Sequence, residues 1–102
     1  MNNFSPKDPD EKLVLAFDFT DLFIDSDERI MSVTWTNEVV TGIDTHPENM
    51  LTAEVNMFDK TKASHMVSGG VLGVLYKLTC VVITSAQQKF KMSAQIKVQR
   101  ND

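Results

Sequence analysis

Hydrophobic and polar positions alternate with a period of two through most of this chain, the signature of half-buried strands. Leu13, Leu15, Phe17 and Phe19 fall on one face of the first such run, with Val14, Ala16 and Asp18 on the other. A second strand is predicted over residues 29–36, where Met31, Val33 and Trp35 point inward and Ser32, Thr34 and Thr36 outward. Its β-branched and aromatic residues suit a pleated surface. Leu51, Ala53, Val55 and Met57 mark one side of a third strand ending near Phe58, and a short strand over 65–67 runs into Ser68-Gly69-Gly70. The alternation is strongest over 73–84, which sets Tyr76, Leu78, Cys80 and Val82 against Leu75, Lys77, Thr79, Val81 and Ile83. Residues 85–88 then close a hairpin onto Phe90, Met92, Ala94, Ile96 and Val98; the positions between them, Lys89, Lys91, Ser93, Gln95 and Lys97, form a basic, wet face.

The intervening segments read as connections. Residues 21–28 mix carboxylates with Leu22, Phe23 and Ile24 and predict a turn. Residues 37–49 predict a long connection or a weak edge strand over 38–43 with a turn at 45–47, and residues 59–62 another turn. The first twelve residues behave differently. Pro6 and Pro9 bias the residues before them away from helix, and 7–12 is almost wholly charged, so an extended arm with no core residues is expected.

Short strands at regular spacing without helical periodicity predict an all-β fold: an immunoglobulin-like antiparallel β-sandwich of about seven strands. It would span 13–99, after an extended N-terminal arm (1–12) and before a short polar tail (100–102). A barrel is the alternative. Trp35 on an early strand, and Tyr76 with Cys80 shortly after it, stand where such sandwiches keep a core indole and a corner tyrosine.

Composition narrows the function. Hydrophobic residues make up 42% and charged residues 24% of the 102, a globular balance that one core can bury without metal or disulfide staples. Fourteen acidic against ten basic side chains give −4 with no basic run, which argues against nucleic acid as a partner. The apolar stretch Val71-Leu72-Gly73-Val74-Leu75 is far too short to cross a bilayer, and residues 1–6 lack the pattern of a leader, so a soluble protein with no membrane partner is expected. Cys80 has no cysteine to pair with and fits synthesis in a reducing compartment.

Candidate chemistry is sparse. His46 and His65 have no ligand-like spacing, and Cys80 on a strand interior reads as a small hydrophobe. Asp18, Asp21, Asp25, Asp27 and Glu28 could offer oxygens to a cation but lack the glycine of a calcium loop, so solvated turn carboxylates are expected. No catalytic group, metal or cofactor is assigned. Met31, Met57 and Met92 read as core filler, whereas Met50 and Met66 suit an adaptable contact surface. Phe4, Leu22 and Phe23 find no inward strand position and sit beside charge, which predicts exposed interface anchors.

Asp8-Pro9-Asp10-Glu11, then the run from Phe17 to Ile24 (FDFTDLFI), Ser32-Val33-Thr34-Trp35-Thr36, Ser68-Gly69-Gly70, Gly73, Tyr76-Lys77-Leu78-Thr79 and Ile96-Lys97-Val98 together resemble, in order and spacing, the phage fiber-tail adaptor proteins, small structural proteins of tailed bacteriophages. Phe19 and Phe23 stand where that family often carries tryptophan, and 37–62 departs from its pattern. The resemblance implies a non-enzymatic immunoglobulin-like subunit of the virion, assembled in the bacterial host cytoplasm, at the head-tail or tail-fibre attachment region. Its partners would be other virion proteins (portal, adaptor, tail or fibre subunits) and copies of itself in a ring. On this reading Phe4, Asp8, Pro9, Asp10 and Glu11 make arm contacts and Leu22 and Phe23 a loop contact. A capsid-decorating or head-completion protein is the alternative, and a carbohydrate-binding adhesion module the alternative of another class.

Overall fold

The period-two faces are built into two sheets in the computed structural model, which describes residues 2–23, 27–51 and 56–100. The strands are β1 (Asn2–Asn3), β2 (Lys12–Asp18), β3 (Ile30–Thr41), β4 (Asn56–Phe58), β5 (Lys62–Ser68), β6 (Leu75–Thr84) and β7 (Lys89–Lys97). One sheet has the order β1-β7-β6-β3 and the other β2-β5-β4. Every pairing is antiparallel except that of β1 on β7, which is parallel. With β2, β4 and β5 as strands B, D and E, and β3, β6 and β7 as C, F and G, this is the strand order of an immunoglobulin sandwich. Besides strands, the described residues form two short 3-10 turns, Thr20–Leu22 and Pro47–Leu51.

The inward faces meet in two apolar clusters. Phe17, Phe19 and Ala63 pack against Ile30, Cys80, Val82 and Ala94. Met50 and Val67 pack against Val74, Tyr76, Leu78, Ile96 and Val98. The alternation read along β6 is realised: Tyr76, Leu78, Cys80 and Val82 are fully buried, each in register with an inward residue of β7. Trp35 stacks on Phe17 at 5.5 Å between ring centres and meets the edge of His65 at 5.6 Å. His65 is buried, with Nδ1 2.7 Å from the Met66 carbonyl oxygen.

Several expectations are corrected. A bulge between Ile30 and Ser32 turns Ile30 inward and leaves Met31, expected in the core, 53% exposed. Residues 37–41 continue β3 as a full strand, and the side chain of Asn37 is buried, donating through Nδ2 to the Pro47 carbonyl at 2.9 Å. That bond holds the Pro47–Leu51 turn on the sheet and buries Met50, expected at a contact surface. Leu51 belongs to this turn and not to a strand, while Thr52, Ala53, Glu54 and Val55 lie outside the described residues.

The segment expected to bury nothing of its own lies in the four-stranded sheet. Asn2 and Asn3 pair with Ala94 and Gln95, the Phe4 amide donates to the Gln95 carbonyl at 2.9 Å, and Lys7 bridges to Val98. Phe4 touches both clusters, its ring 5.4 Å from Phe17. It closes the open side of the sandwich, where an apolar ring is removed from water on both flanks.

Candidate interaction surfaces at the two ends of the sandwich

Strand β2 runs from Lys12, opposite Ser68, to Asp18, opposite Lys62, so the connections divide between two ends of a body 44 × 24 × 23 Å in extent. One end carries residues 7–11, the connection after β3 and the corner between β5 and β6. The other carries the loop from β2 to β3, the turn from β4 to β5 and the hairpin from β6 to β7. The expected contact residues are therefore not one site: Asp8, Pro9, Asp10 and Glu11 stand at the first end, Leu22 and Phe23 at the second, and Phe4 between the ends against both clusters.

At the first end Lys7 acts as a latch. Its side chain is fully buried, and Nζ donates to the Gly69 carbonyl at 2.7 Å and to the Asp8 carbonyl at 2.9 Å. Its own amide donates to Lys97 and its carbonyl accepts from Gln99. Burial pushes the ammonium below the ordinary lysine range, against the pull of Glu11, Asp8 and Asp10. Asp8-Pro9-Asp10-Glu11 folds on itself as a box: the Asp8 amide donates to Glu11 Oε1 at 2.8 Å, and the Asp10 amide to Asp8 Oδ1 at 2.9 Å. Asp10 is the exposed acid of this turn; Asp8, Pro9 and Glu11 are half-buried.

Beside it stands a tyrosine corner. The Tyr76 hydroxyl accepts from the Val71 amide at 2.8 Å and donates to Asp44 Oδ2 at 2.7 Å, joining two connections at one buried ring. Burial, then the Asp44 bond, pushes the phenol up to about 12. The same bond, with the His46 amide, holds the Asp44 carboxyl below its ordinary value. The corner presents Ile43 (83% exposed), Val71 and Leu72 outward. These residues were not singled out from sequence as contacts, although an apolar Val71-Leu72 pair between Gly70 and Gly73 cannot lie inside a strand and signals an exposed tip.

At the second end Glu28, expected in solvent, is buried. It accepts from the Thr84 hydroxyl and, at 3.2 Å, from Gln88 Nε2, tying the β2–β3 loop to the β6–β7 hairpin. Arg29 and Ser85 exchange a further pair of bonds across the same gap. Phe23 is half-buried and stacks on Phe90 at 5.9 Å, whereas Leu22 is 41% exposed. Two of the three apolar residues expected as exposed anchors are thus partly internal, because each finds an aromatic ring at a gap between the sheets. Exposed Phe58 adds to the apolar surface here.

Chemically reactive arrangements do not emerge from these contacts. Asp18 is engaged by Thr20, and Asp59 caps the turn before β5 through the Thr61 and Lys62 amides; both carboxyls lie below their ordinary values on account of those bonds. Asp25 lies outside the described residues. Among the described residues, three or more His, Cys, Asp or Glu do not gather where a metal ion could be held. Burial pushes the Cys80 thiol up to about 12, far from the thiolate that nucleophilic chemistry needs. No helix among the described residues is long and apolar enough to cross a membrane.

No curated protein and no solved structure matches the chain. The family model described as podophage GP4 fiber-tail adaptor protein gp77 matches residues 7–97, from the lysine latch to the end of β7. That span takes in the tyrosine corner, every strand but β1 and both ends of the body, and the chain accordingly belongs to the podophage fiber-tail adaptor family, structural proteins of the virion.

Proposed function

We propose that this adaptor is a non-enzymatic spacer at the head-tail or tail-fibre attachment region, present in several copies arranged as a ring and gripping a different virion neighbour at each end. The observation that carries the reading is the separation of the two contact groups to opposite ends of the strands of the sandwich. Asp10, Ile43, Val71 and Leu72 are exposed at one end, and Leu22 and Phe58 at the other. Apolar anchors beside charge suit protein contacts that exclude water at their centre. Asp8, Pro9 and Glu11 act at the first end by holding its shape, Phe23 does so at the second, and Phe4 holds the side of the sandwich between them.

Single substitutions at exposed positions test this without disturbing the core. Asp10→Lys and Leu22→Asp are introduced into phage and the purified particles are assayed for the protein and for tail and fibre subunits. Each variant, folded by circular dichroism, is expected to lower incorporation of the adaptor or of the subunit that docks on that end. Particles of normal composition from both variants would refute the two-ended reading.

A further inference from the structure

Four strand edges face outward in the two sheets, and three are protected. Strand β1 has two residues, β4 has three, and β3 is bulged near both ends with the Pro47–Leu51 turn against it. Strand β2 differs. Its register with β5 is unbroken over all seven residues, it contains no proline, and no other strand among the described residues pairs with it. A regular edge of this kind is a template for another strand.

The sequence of that edge is complementary to itself. In Lys12-Leu13-Val14-Leu15-Ala16-Phe17-Asp18 the even positions face outward and are exposed, with a cation at one end, an anion at the other and Val14 and Ala16 between. Turned antiparallel about Leu15, a second copy sets Lys12 against Asp18 twice and Val14 against Ala16 twice on the outer face. On the inner face the same turn sets Leu15 against Leu15 and Leu13 against Phe17. Leu13 and Leu15 are only half-buried in the single chain. Val14 is 50% exposed, and its partner in register on β5 is Met66, so the apolar strip continues across the sheet.

We infer that two copies of this chain join edge to edge through β2, fusing their three-stranded sheets into one six-stranded sheet with a two-fold axis at Leu15. The occupant is a second copy because the charge order of the strand matches its own reversal, and isologous contacts require such self-complementarity. Antiparallel pairing reverses the two ends of the body between the copies, so this contact is distinct from one between ring neighbours that point the same way, and the inference goes beyond the proposed function. It concerns a surface between the two ends, so it can fail while the two-ended reading stands, and the reverse.

Sedimentation velocity on the full chain over a concentration series tests it. The parent is expected to show a monomer-dimer equilibrium. Lys12→Asp and Asp18→Lys each replace two opposite-charge pairs with two like-charge pairs and should weaken dimerisation about tenfold or more. An equimolar mixture of the two variants restores both opposite pairs and should dimerise again. Since Asp18 also binds Thr20, salt supplies a second measurement that needs only Lys12→Asp: added salt should weaken the parent dimer and strengthen the variant one. A parent that stays monomeric at the highest concentration, a mixture of folded variants that does not associate, or the same sign of salt dependence in parent and variant overturns the inference.

Discussion

The Tyr76 hydroxyl donates to Asp44 Oδ2 at 2.7 Å across a separation of 32 residues, so a core ring of β6 fixes the connection that follows β3. The same oxygen accepts from the Val71 amide. Tyr76→Phe keeps the ring and leaves both partners without it. The expected loss is about 1–3 kcal/mol of unfolding free energy, the usual range when buried polar groups lose a partner, read from urea denaturation at unchanged slope.

The pH dependence of that corner has two arms. Asp44 lies below its ordinary carboxyl value in the folded state, so its contribution is present above the unfolded value and is lost as pH falls through the folded one. Tyr76 is raised to about 12, so its contribution is complete below the ordinary phenol value of 10.0 and is lost as pH rises from there toward 12. Melting temperature measured against pH should show both declines in the parent. In Tyr76→Phe the alkaline one should shrink and the acid one should move to higher pH.

Lys7→Ala removes two hydrogen bonds from a buried ammonium together with the packing of its stem. A loss of about 2 kcal/mol is expected, with faster hydrogen exchange at the amides of Lys7 and Gln99. Because burial lowers this pKa, the unfolded chain binds more protons between the folded and ordinary values, and stability from this group rises with pH there. The variant should lose that rise.

Two adjacent glycines should respond unequally to alanine. At Gly70, with φ +99°, an added Cβ would lie 2.7 Å from Val98 Cγ2; at Gly69, with φ +69°, it would meet open space. Gly69→Ala is expected to cost about 1 kcal/mol, the strain of the left-handed backbone alone. Gly70→Ala should cost more, since it adds overpacking of about 1–3 kcal/mol. Equal melting temperatures for the two variants would contradict this geometry.

Cys80 is expected to resist thiol reagents at neutral pH until the chain opens, because its side chain is fully buried and its pKa is raised to about 12. The labelling rate should rise with urea in step with unfolding.

The inward faces of β6 and β7 were legible in the sequence because period two survives wherever the register is unbroken. Met31 misled because a bulge shifts the phase by one residue, and no pattern local to residues 29–36 announces it. Phe4 and Lys7 were misread as free for a different reason. Their burial depends on β7 and on Gly69, 62 residues beyond Lys7, and a charged segment gives no local sign of such a seat. Glu28 failed likewise, its cover coming from Thr84 and Gln88 across the loop ends. The candidate contacts were legible as exposed only where no distant partner intervened, at Asp10 and Leu22.

Parallel docking of the first strand on the last sets the order in which the molecule can finish. Residues 2–7 leave the ribosome before β2 to β7, yet their seat on Ala94, Gln95, Lys97 and Gln99 is made after all the other strands. Until β7 is made this segment waits without its mate, and closure of the long loop between them, with Phe4 sealing the gap, comes late and slowly. A nascent chain crowded among its siblings is therefore most open to exchanging this segment with a neighbour in the interval before its own seventh strand exists.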